Sequence, residues 1–328
     1  MRRFILMMGI ALFALGIFAF GCTKQPEKIS HRPENEQNYL TIATGAVSGP
    51  YFTIGEAVAK VYKTKLGYNT TVRSTDGSVE NVNLLENHKA DLAFVMSDAA
   101  SFELSRHEKL KDARFTLPPF KAVAGLYFNF VQIVTLRDEN IHSVYDLKGK
   151  RVGVGAPNSG VERNARMILQ EHSLTYQDIQ PEYLSYDEAM EQLKNKKIDA
   201  AFVTSGLPNN AVLELLKSTK VAIVPIQPKI IDHLTKQYLF FEKAELPAGI
   251  YQNKRPIPTV AIRNILLVRS DLTDDLVYKI TKTFFENLDA MQQAHQAANN
   301  INRNDAGKGL AVPLHPGAMK YFKDSGIQ

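Results

Sequence analysis

Residues 151–169 read RVGVGAPNSGVERNARMIL, and this stretch decides the fold class. A short apolar run ends in a glycine-rich turn, and the residues after the turn have helical spacing. A strand, a turn and a helix in this order indicate one unit of a parallel α/β sheet. The turn is also a candidate anion site, because the free N–H groups of a helix N-terminus attract phosphates and carboxylates alike.

The same layout occurs twice along the chain. Between residues 39 and 86, short apolar strands alternate with helical segments, and they lead to KADLAFVMSD at 89–98. After residue 151 the order repeats and leads to the similar text KIDAAFVTSG at 197–206. The sequence therefore predicts an α/β fold with two related lobes, each a mostly parallel sheet with helices on both faces.

The end of the chain sets the predicted domain boundaries. Residues 259–269 are strand-like, and a long helical stretch runs from Asp271 to His295 without a third set of strand–helix units. We therefore expect the chain to return to the first lobe, which gives at least two crossings and a hinged cleft. Lobe I is predicted at residues 38–136 plus about 255–328, and lobe II at residues 137–254.

The N-terminus has the pattern of an export signal. Two arginines precede a continuous apolar run at residues 4–20, which is typical of a secretory signal peptide over residues 1–22. The run ends in AFGC at 19–22, which resembles a bacterial lipobox, so lipid attachment at Cys22 is predicted; a simple cleaved signal or an uncleaved anchor is the alternative. Residues 23–37 are polar and contain proline, which predicts a flexible tether.

The composition disfavours several classes of function. The chain has 328 residues, 45% of them hydrophobic and 22% charged, with a formal charge of +5 and a single cysteine. A charge of this size without a dense basic run does not favour nucleic acid. No G-x-S-x-G motif and no His/Cys/Asp cluster with metal-ligand spacing is present, and the histidines are expected at the surface. We therefore predict no metal, no cofactor and no enzymatic activity.

The glycines of the opening stretch do not form a nucleotide fingerprint. Gly153, Gly155 and Gly160 have the spacing G-x-G-x₄-G, and no Lys-Ser or Lys-Thr follows. What remains is an Asn158-Ser159-Gly160 segment at a helix N-terminus, which suits a carboxylate or is simply an ordinary cap. Residues 45–51, 75–81 and 97–98 follow the predicted strands of the first lobe, where open α/β sheets bind ligands.

Five segments cover most of residues 39–300 in order: TGAVSGPYFTIGEAVA, STDGSVENVNLLENHKADLAFVMSDAA, VGVGAPNSGVERNARMIL, IDAAFVTSGLPNNAV and LPAGIYQNKRPIPTVAIRNILLV. Together they resemble the TAXI family, the solute-binding proteins of tripartite ATP-independent periplasmic (TRAP) transporters. The resemblance implies a periplasmic or extracytoplasmic, type II-like Venus flytrap that binds a dicarboxylate such as glutamate or 2-oxoglutarate. It also implies delivery of the solute to a TRAP membrane permease subunit, and we expect the receptor to be a monomer.

The resemblance also assigns the residues that face the solute. Carried over position by position, they are Tyr51, Ser78, Asn81, Ser97, Asn158, Ser159, Gly160, Val161, Ser205, Gly206 and Pro208. Val161 stands where the family has threonine, which removes a hydroxyl beside the anion, and Glu162 is expected to be a structural or capping residue. Two alternatives stay open: a receptor that presents its bound state to a membrane kinase, and an enzyme that acts on an acidic metabolite.

Overall fold

The computed structural model describes residues 38–110 and 119–327. The predicted signal peptide, the lipid site at Cys22 and the tether therefore lie outside the described residues. No helix in the described part of the chain is both long enough and apolar enough to cross a membrane.

The described chain forms one central sheet with helices on both faces. The strands are β1 (Tyr39–Ala43), β2 (Asn69–Arg73), β3 (Leu92–Met96), β4 (Phe120–Leu136), β5 (Arg151–Gly153), β6 (Gln180–Glu182), β7 (Ala200–Ser205), β8 (Val221–Val224), β9 (Phe241–Leu246) and β10 (Ile257–Arg269). The helices are α1 (Pro50–Leu66), α2 (Ser78–Glu86), α3 (Ser97–Leu110), α4 (Gly160–Glu171), α5 (Tyr186–Lys194), α6 (Asn210–Leu216), α7 (Pro228–Gln237), α8 (Asp274–Glu286), α9 (Leu288–Ala294) and α10 (Pro316–Asp324). The α/β class predicted from the repeated strand–helix layout is confirmed.

The sheet order is β2-β1-β3-β10-β4-β7-β5-β6, with β8 paired to β4 and β9 paired to β10. Strands β1, β2 and β3 are parallel to one another, and so are β5, β6 and β7. The long strands β4 and β10 are antiparallel to each other and to their remaining partners. The prediction of parallel strands is thus confirmed within β1–β3 and within β5–β7. It is wrong for β4 and β10 at the centre of the sheet. A strand buried on both faces is a nearly continuous apolar run, which carries no sign of its direction.

Successive side chains along each strand point to opposite faces of the sheet. Around β1 and β3, Leu40, Ile42 and Phe94 pack into a core with α1, α8 and α10, while the adjacent Ala43 and Val95 pack into a second core with α2 and α3. The strands around β7 divide in the same way between a core with α4 and α7 and a core with α5 and α6. Hydrophobic cores on both faces hold the helices that frame the site.

We call β1–β3 with α1–α3 and α8–α10 the first half of the molecule, and β5–β9 with α4–α7 the second half. Strands β4 and β10 contribute residues to the cores of both halves, and Asn38–Gln328 group as one compact unit. The lobe boundaries near residues 136 and 255 therefore stay a prediction.

The helices near the site begin where the sequence supplies a start signal. Helix α1 has proline at its first position, and α4 begins after Ser159, whose hydroxyl accepts the N–H of Glu162 at 3.1 Å. The expected long helix from Asp271 to His295 is instead two helices, since α8 ends before Asn287 and α9 begins after it.

Candidate functional site

A cavity of about 400 Å³ lies where four helices begin. The first residues of α1, α2, α4 and α5, which are Pro50, Ser78, Gly160 and Tyr186, all line it. Each helix N-terminus carries unpaired N–H groups and the positive end of the helix dipole. The first two helices belong to the first half and the other two to the second half, so both halves direct partial positive charge at one cavity.

The start of α4 retains donors for a ligand. Ser159 is 2% exposed and its hydroxyl occupies the N–H of Glu162. Among the described residues, no acceptor is found for the N–H groups of Gly160 and Val161, which line the cavity. These two N–H groups can therefore bind a carboxylate oxygen.

The N-termini of α2 and α4 touch each other. The hydroxyl of Ser78 accepts the N–H of Met96 at 3.0 Å, and the N–H of Glu80 donates to the carbonyl of Asn158 at 3.1 Å. A Cβ added to Gly160 would lie 2.1 Å from the Met96 methyl carbon and 3.3 Å from the Ser78 hydroxyl oxygen. A larger residue at position 160 therefore requires the flexible end of the Met96 side chain to move.

Further contacts join the halves around the cavity. Ser48 donates a hydrogen bond to the Asp187 carboxylate at 2.8 Å, and the Asn164 amide donates to the buried Asp98 carboxylate at 3.1 Å. The Arg163 guanidinium lies 4.6 Å from the centre of the Phe102 ring. The structure therefore shows the two halves in direct contact around the cavity, a closed arrangement.

A network of hydrogen bonds fixes polar side chains where α1 meets the long strands β4 and β10. Tyr51 donates to the Asn264 side-chain oxygen at 2.5 Å, and the Asn264 amide donates to Asn129 at 2.8 Å. Tyr51 and Asn129 both line the cavity. Burial raises the pKa of Tyr51 well above its ordinary value, so its phenol stays neutral.

On the second-half wall, Tyr186 donates a hydrogen bond to the carbonyl of Thr204 at 2.6 Å. Burial raises the pKa of Tyr186 as well. Thr204 also lines the cavity, is 1% exposed, and its hydroxyl has no partner among the described residues. Because an unpaired buried hydroxyl is costly, a bound polar group is a natural partner for it.

The charged lining of the cavity is entirely acidic. Asp76, Glu80 and Asp187 line it, and none of the described lining residues is Lys, Arg or His. The pKa of Asp76 is raised by partial burial and then by the nearby carboxylates of Glu80 and Glu188. Positive potential in this cavity comes from helix N-termini and not from cationic side chains.

The structure brings together six of the eleven residues assigned from the sequence. Tyr51, Ser78, Ser159, Gly160, Val161 and Ser205 line the cavity. The remaining five, Asn81, Ser97, Asn158, Gly206 and Pro208, are not part of the lining.

Packing explains two of these differences. The Asn81 amide donates to the carbonyls of Thr44 at 2.5 Å and Phe94 at 2.7 Å, so it anchors α2 to β1 and β3. Gly206 packs against Tyr127, where a Cβ would lie 2.8 Å from a ring carbon. Both residues support the site without facing it.

Sequence reasoning missed Asn129, Tyr186, Thr204 and the three acids as lining residues. A signal for Tyr186 was present, because Ser185 and Glu188 form a capping box that marks the start of α5. Asn129 is a polar residue inside a long apolar strand, which also indicates a special environment.

The expectation of surface histidines is wrong for three of them. His172, His295 and His315 are buried, and burial lowers the pKa of each. His172 contacts the carbonyl of Ile168 at 2.7 Å at the end of α4, while His295 and His315 accept backbone N–H groups at helix starts. These histidines pair with backbone, outside the cavity. Within residues 38–110 and 119–327, no group of three or more His, Cys, Asp or Glu side chains could hold a metal ion.

Known structures share this fold. PhnD1 from Prochlorococcus marinus, solved in complex with methylphosphonate, matches with a TM-score of 0.52 at 12% identity, covering 89% of this chain and 99% of that one. A binding protein component of an ABC phosphonate transporter from Pseudomonas aeruginosa matches with a TM-score of 0.51 at 13% identity, covering 81% and 80%. A protein from Bordetella bronchiseptica RB50 matches with a TM-score of 0.51 at 16% identity, covering 89% and 82%. The predicted α/β binding-protein fold is thus confirmed.

The sequence comparison defines the family. The model of the NMT1-like family matches residues 42–326, which include every element from the second half of β1 to α10. This match does not extend to the narrower TAXI group, so that resemblance stays a prediction. The chain belongs to the NMT1-like family.

Proposed function

We propose that the protein is an extracytoplasmic solute-binding receptor that captures a small organic acid in the cavity and delivers it to a membrane transporter. The observation that carries this proposal is the convergence of four helix N-termini, two from each half, on one cavity. Such a site binds an anion without a cationic side chain.

The binding step follows from the free donors. A carboxylate of the solute accepts the N–H groups of Gly160 and Val161, with hydroxyls of Ser78 and Thr204 within the same lining. Charge-assisted hydrogen bonds of this kind contribute about 1.5–3 kcal/mol each. Since the donors lie on both halves, a bound acid favours the closed arrangement and shifts the population toward it.

The partner and the location are part of the same proposal. The TAXI resemblance supports an ion-driven TRAP permease as the membrane protein that receives the solute. It also supports dicarboxylates such as glutamate and 2-oxoglutarate as the first solutes to test. The lipobox-like text before Cys22 supports a periplasmic or extracytoplasmic lipoprotein that is anchored to a membrane. In this role the protein releases its solute unchanged.

A thermal-shift panel tests the proposal. The full chain is heated with C4 and C5 dicarboxylates, amino acids and uncharged sugars, each at a concentration far above a micromolar Kd. A solute at 100 times its Kd stabilises the folded state by about 2.7 kcal/mol, which raises the Tm by several degrees. Mass spectrometry of the recovered solute should show it unchanged. A sugar that stabilises the protein while every acid fails, or a chemically converted solute, would contradict the proposal.

A further inference from the structure

The cavity differs in charge between its buried inner part and its exposed mouth. The inner part is lined by Ser78, Ser159 and Thr204, which are 1–2% exposed, together with the N–H groups at the start of α4. The mouth includes the exposed residues Asp76 and Asp187. Partial positive charge inside and negative charge at the mouth give the cavity a dipole.

Asp76 is the carboxylate of the mouth that lacks a partner. Glu80 accepts the backbone N–H of Asp76 and lies 3.7 Å from Arg73, and Asp187 accepts the hydroxyl of Ser48. Among the described residues, no cation and no donor is found for the side chain of Asp76. Partial burial and then the nearby carboxylates of Glu80 and Glu188 raise the pKa of Asp76.

A second negative charge on the solute has no favourable place in this cavity. A dicarboxylate would hold one carboxylate at the helix N-termini and bring the other among three acids, with no Lys, Arg or His in the described lining. Like charges repel, and the repulsion grows where water is partly excluded. A protonated amine at the same position would be attracted by Asp76.

We propose that the solute is zwitterionic: its single carboxylate binds the helix N-termini in the inner part, and its protonated amino group pairs with Asp76 at the mouth. This inference rests on the proposed function and names the substrate class of the same site. Of the two solutes that the family resemblance names, glutamate has the required amino group but also a second carboxylate that this inference excludes, and 2-oxoglutarate lacks the amino group. The unpaired hydroxyl of Thr204 adds a neutral donor in the inner part, and the apolar side chains of Met96, Val161 and Leu184 accommodate an uncharged body.

Matched pairs of acids test the charge requirement. Isothermal titration of the full chain compares L-leucine with 4-methyl-2-oxopentanoate and L-alanine with pyruvate, which differ at the amine, and adds succinate and 2-oxoglutarate as dicarboxylates. At least one amino acid should bind about 2- to 5-fold more tightly than its 2-oxo counterpart, which is the range for a partly exposed ion pair. It should bind about 10-fold or more tightly than either dicarboxylate, because the second carboxylate is repelled where the amino group is attracted. A 2-oxo acid or a dicarboxylate that binds as tightly as the amino acids would overturn the inference. The proposed function would still stand in that case, because an organic acid binds.

The variant Asp76→Asn separates a charge effect from a structural one. It should weaken binding of the amino acid by about 2- to 5-fold, the range for a partly exposed ion pair, and strengthen binding of the dicarboxylates. The matched control Asp289→Asn removes an exposed acid on α9, outside the cavity, and should change neither. A change in the same direction for both classes would overturn the inference. Absence of binding by every acid in both proteins would overturn the proposed function and the inference together.

Discussion

Substitution of Gly160 by alanine tests whether the close approach of α2 and α4 is needed for solute binding. The new Cβ would lie 2.1 Å from the Met96 methyl carbon. Carbon atoms in contact are about 3.5–4.0 Å apart, so the methyl must retreat by about 1.5 Å or more, or the halves must separate. Met96 is 2% exposed and lines the cavity, so it can move only into the space for the solute or against its buried neighbours.

The expected loss follows from the cost of overpacking. Extra carbon in a well-packed site costs about 1–3 kcal/mol, and the flexible end of a methionine places Gly160→Ala near the lower value. One kcal/mol corresponds to about a 5-fold increase in Kd. The fold itself should not suffer, because alanine is a better helix residue than glycine and adds about 0.4–1 kcal/mol where the backbone allows it. The Tm without solute should therefore stay the same or rise.

Titration calorimetry measures the Kd of the solute with the largest thermal shift, and differential scanning calorimetry gives the Tm without it. The double variant Gly160→Ala/Met96→Leu is the matched control, since leucine is similar in volume and lacks the terminal methyl that collides. A double-mutant cycle should show recovery of most of the lost affinity. If Gly160→Ala binds within twofold of the parent, or if its Tm falls together with its affinity, then the closed contact between α2 and α4 is not part of the binding state.

Three further predictions concern stability and location. Burial raises the pKa of Asp98, so Asp98 binds a proton more tightly in the folded protein than in the unfolded chain. The free energy of unfolding therefore falls as the pH rises from about 3.9 through the raised pKa. Asp98→Asn should therefore be about 1 kcal/mol more stable at pH 7 and no more stable at pH 3.5 by urea denaturation, and equal gains at both pH values would contradict this. Ser159→Ala should lower the Tm by removing the cap at Glu162, worth about 1 kcal/mol, whereas Ser159→Asp should keep the Tm and weaken acid binding; equal affinity in the aspartate variant would exclude an anion at this helix. Cys22→Ser should move the protein from the membrane fraction to the soluble fraction on centrifugation, and continued sedimentation with membranes would exclude lipid anchoring through Cys22.

The repeated strand–helix layout predicted the α/β class because its local signals agree with one another. Ser159 and Gly160 appear in the sequence as a helix start after a strand, and the structure places them at that position. Strand β4 could be recognised as a strand from its 17 mostly apolar residues, but its antiparallel direction could not. Direction depends on where the chain returns, which is a property of long-range pairing with β10 and not of local sequence.

The sequence could predict the site residues that lie at helix starts. It could not predict the lining residues that reach the cavity from other positions in the fold. Ser78 and Ser159 mark the starts of α2 and α4 in the sequence. Both helix starts lie at the cavity because the strands that precede them end at that edge of the sheet. Asn81 is also a polar residue near the start of α2, but its side-chain amide is fully hydrogen-bonded within the protein. It donates to the carbonyls of Thr44 and Phe94 and accepts the hydroxyl of Thr75. Only the tertiary structure shows which polar residue has a free hydrogen-bonding group left for a solute.

The contacts that close the cavity are weak enough for a small solute to control. The described hydrogen bonds across it include Ser48 to Asp187, Asn164 to Asp98, and the N–H of Glu80 to Asn158. A typical hydrogen bond of this kind contributes about 0.5–1.5 kcal/mol net, so closure by these contacts alone is favoured by only a few kcal/mol at most, before the ordering of the halves is counted. A solute carboxylate that adds two charge-assisted bonds contributes on the same scale. The balance between open and closed forms can then follow the presence of the solute, which is what a receptor needs if its membrane partner is to distinguish the loaded form from the empty one.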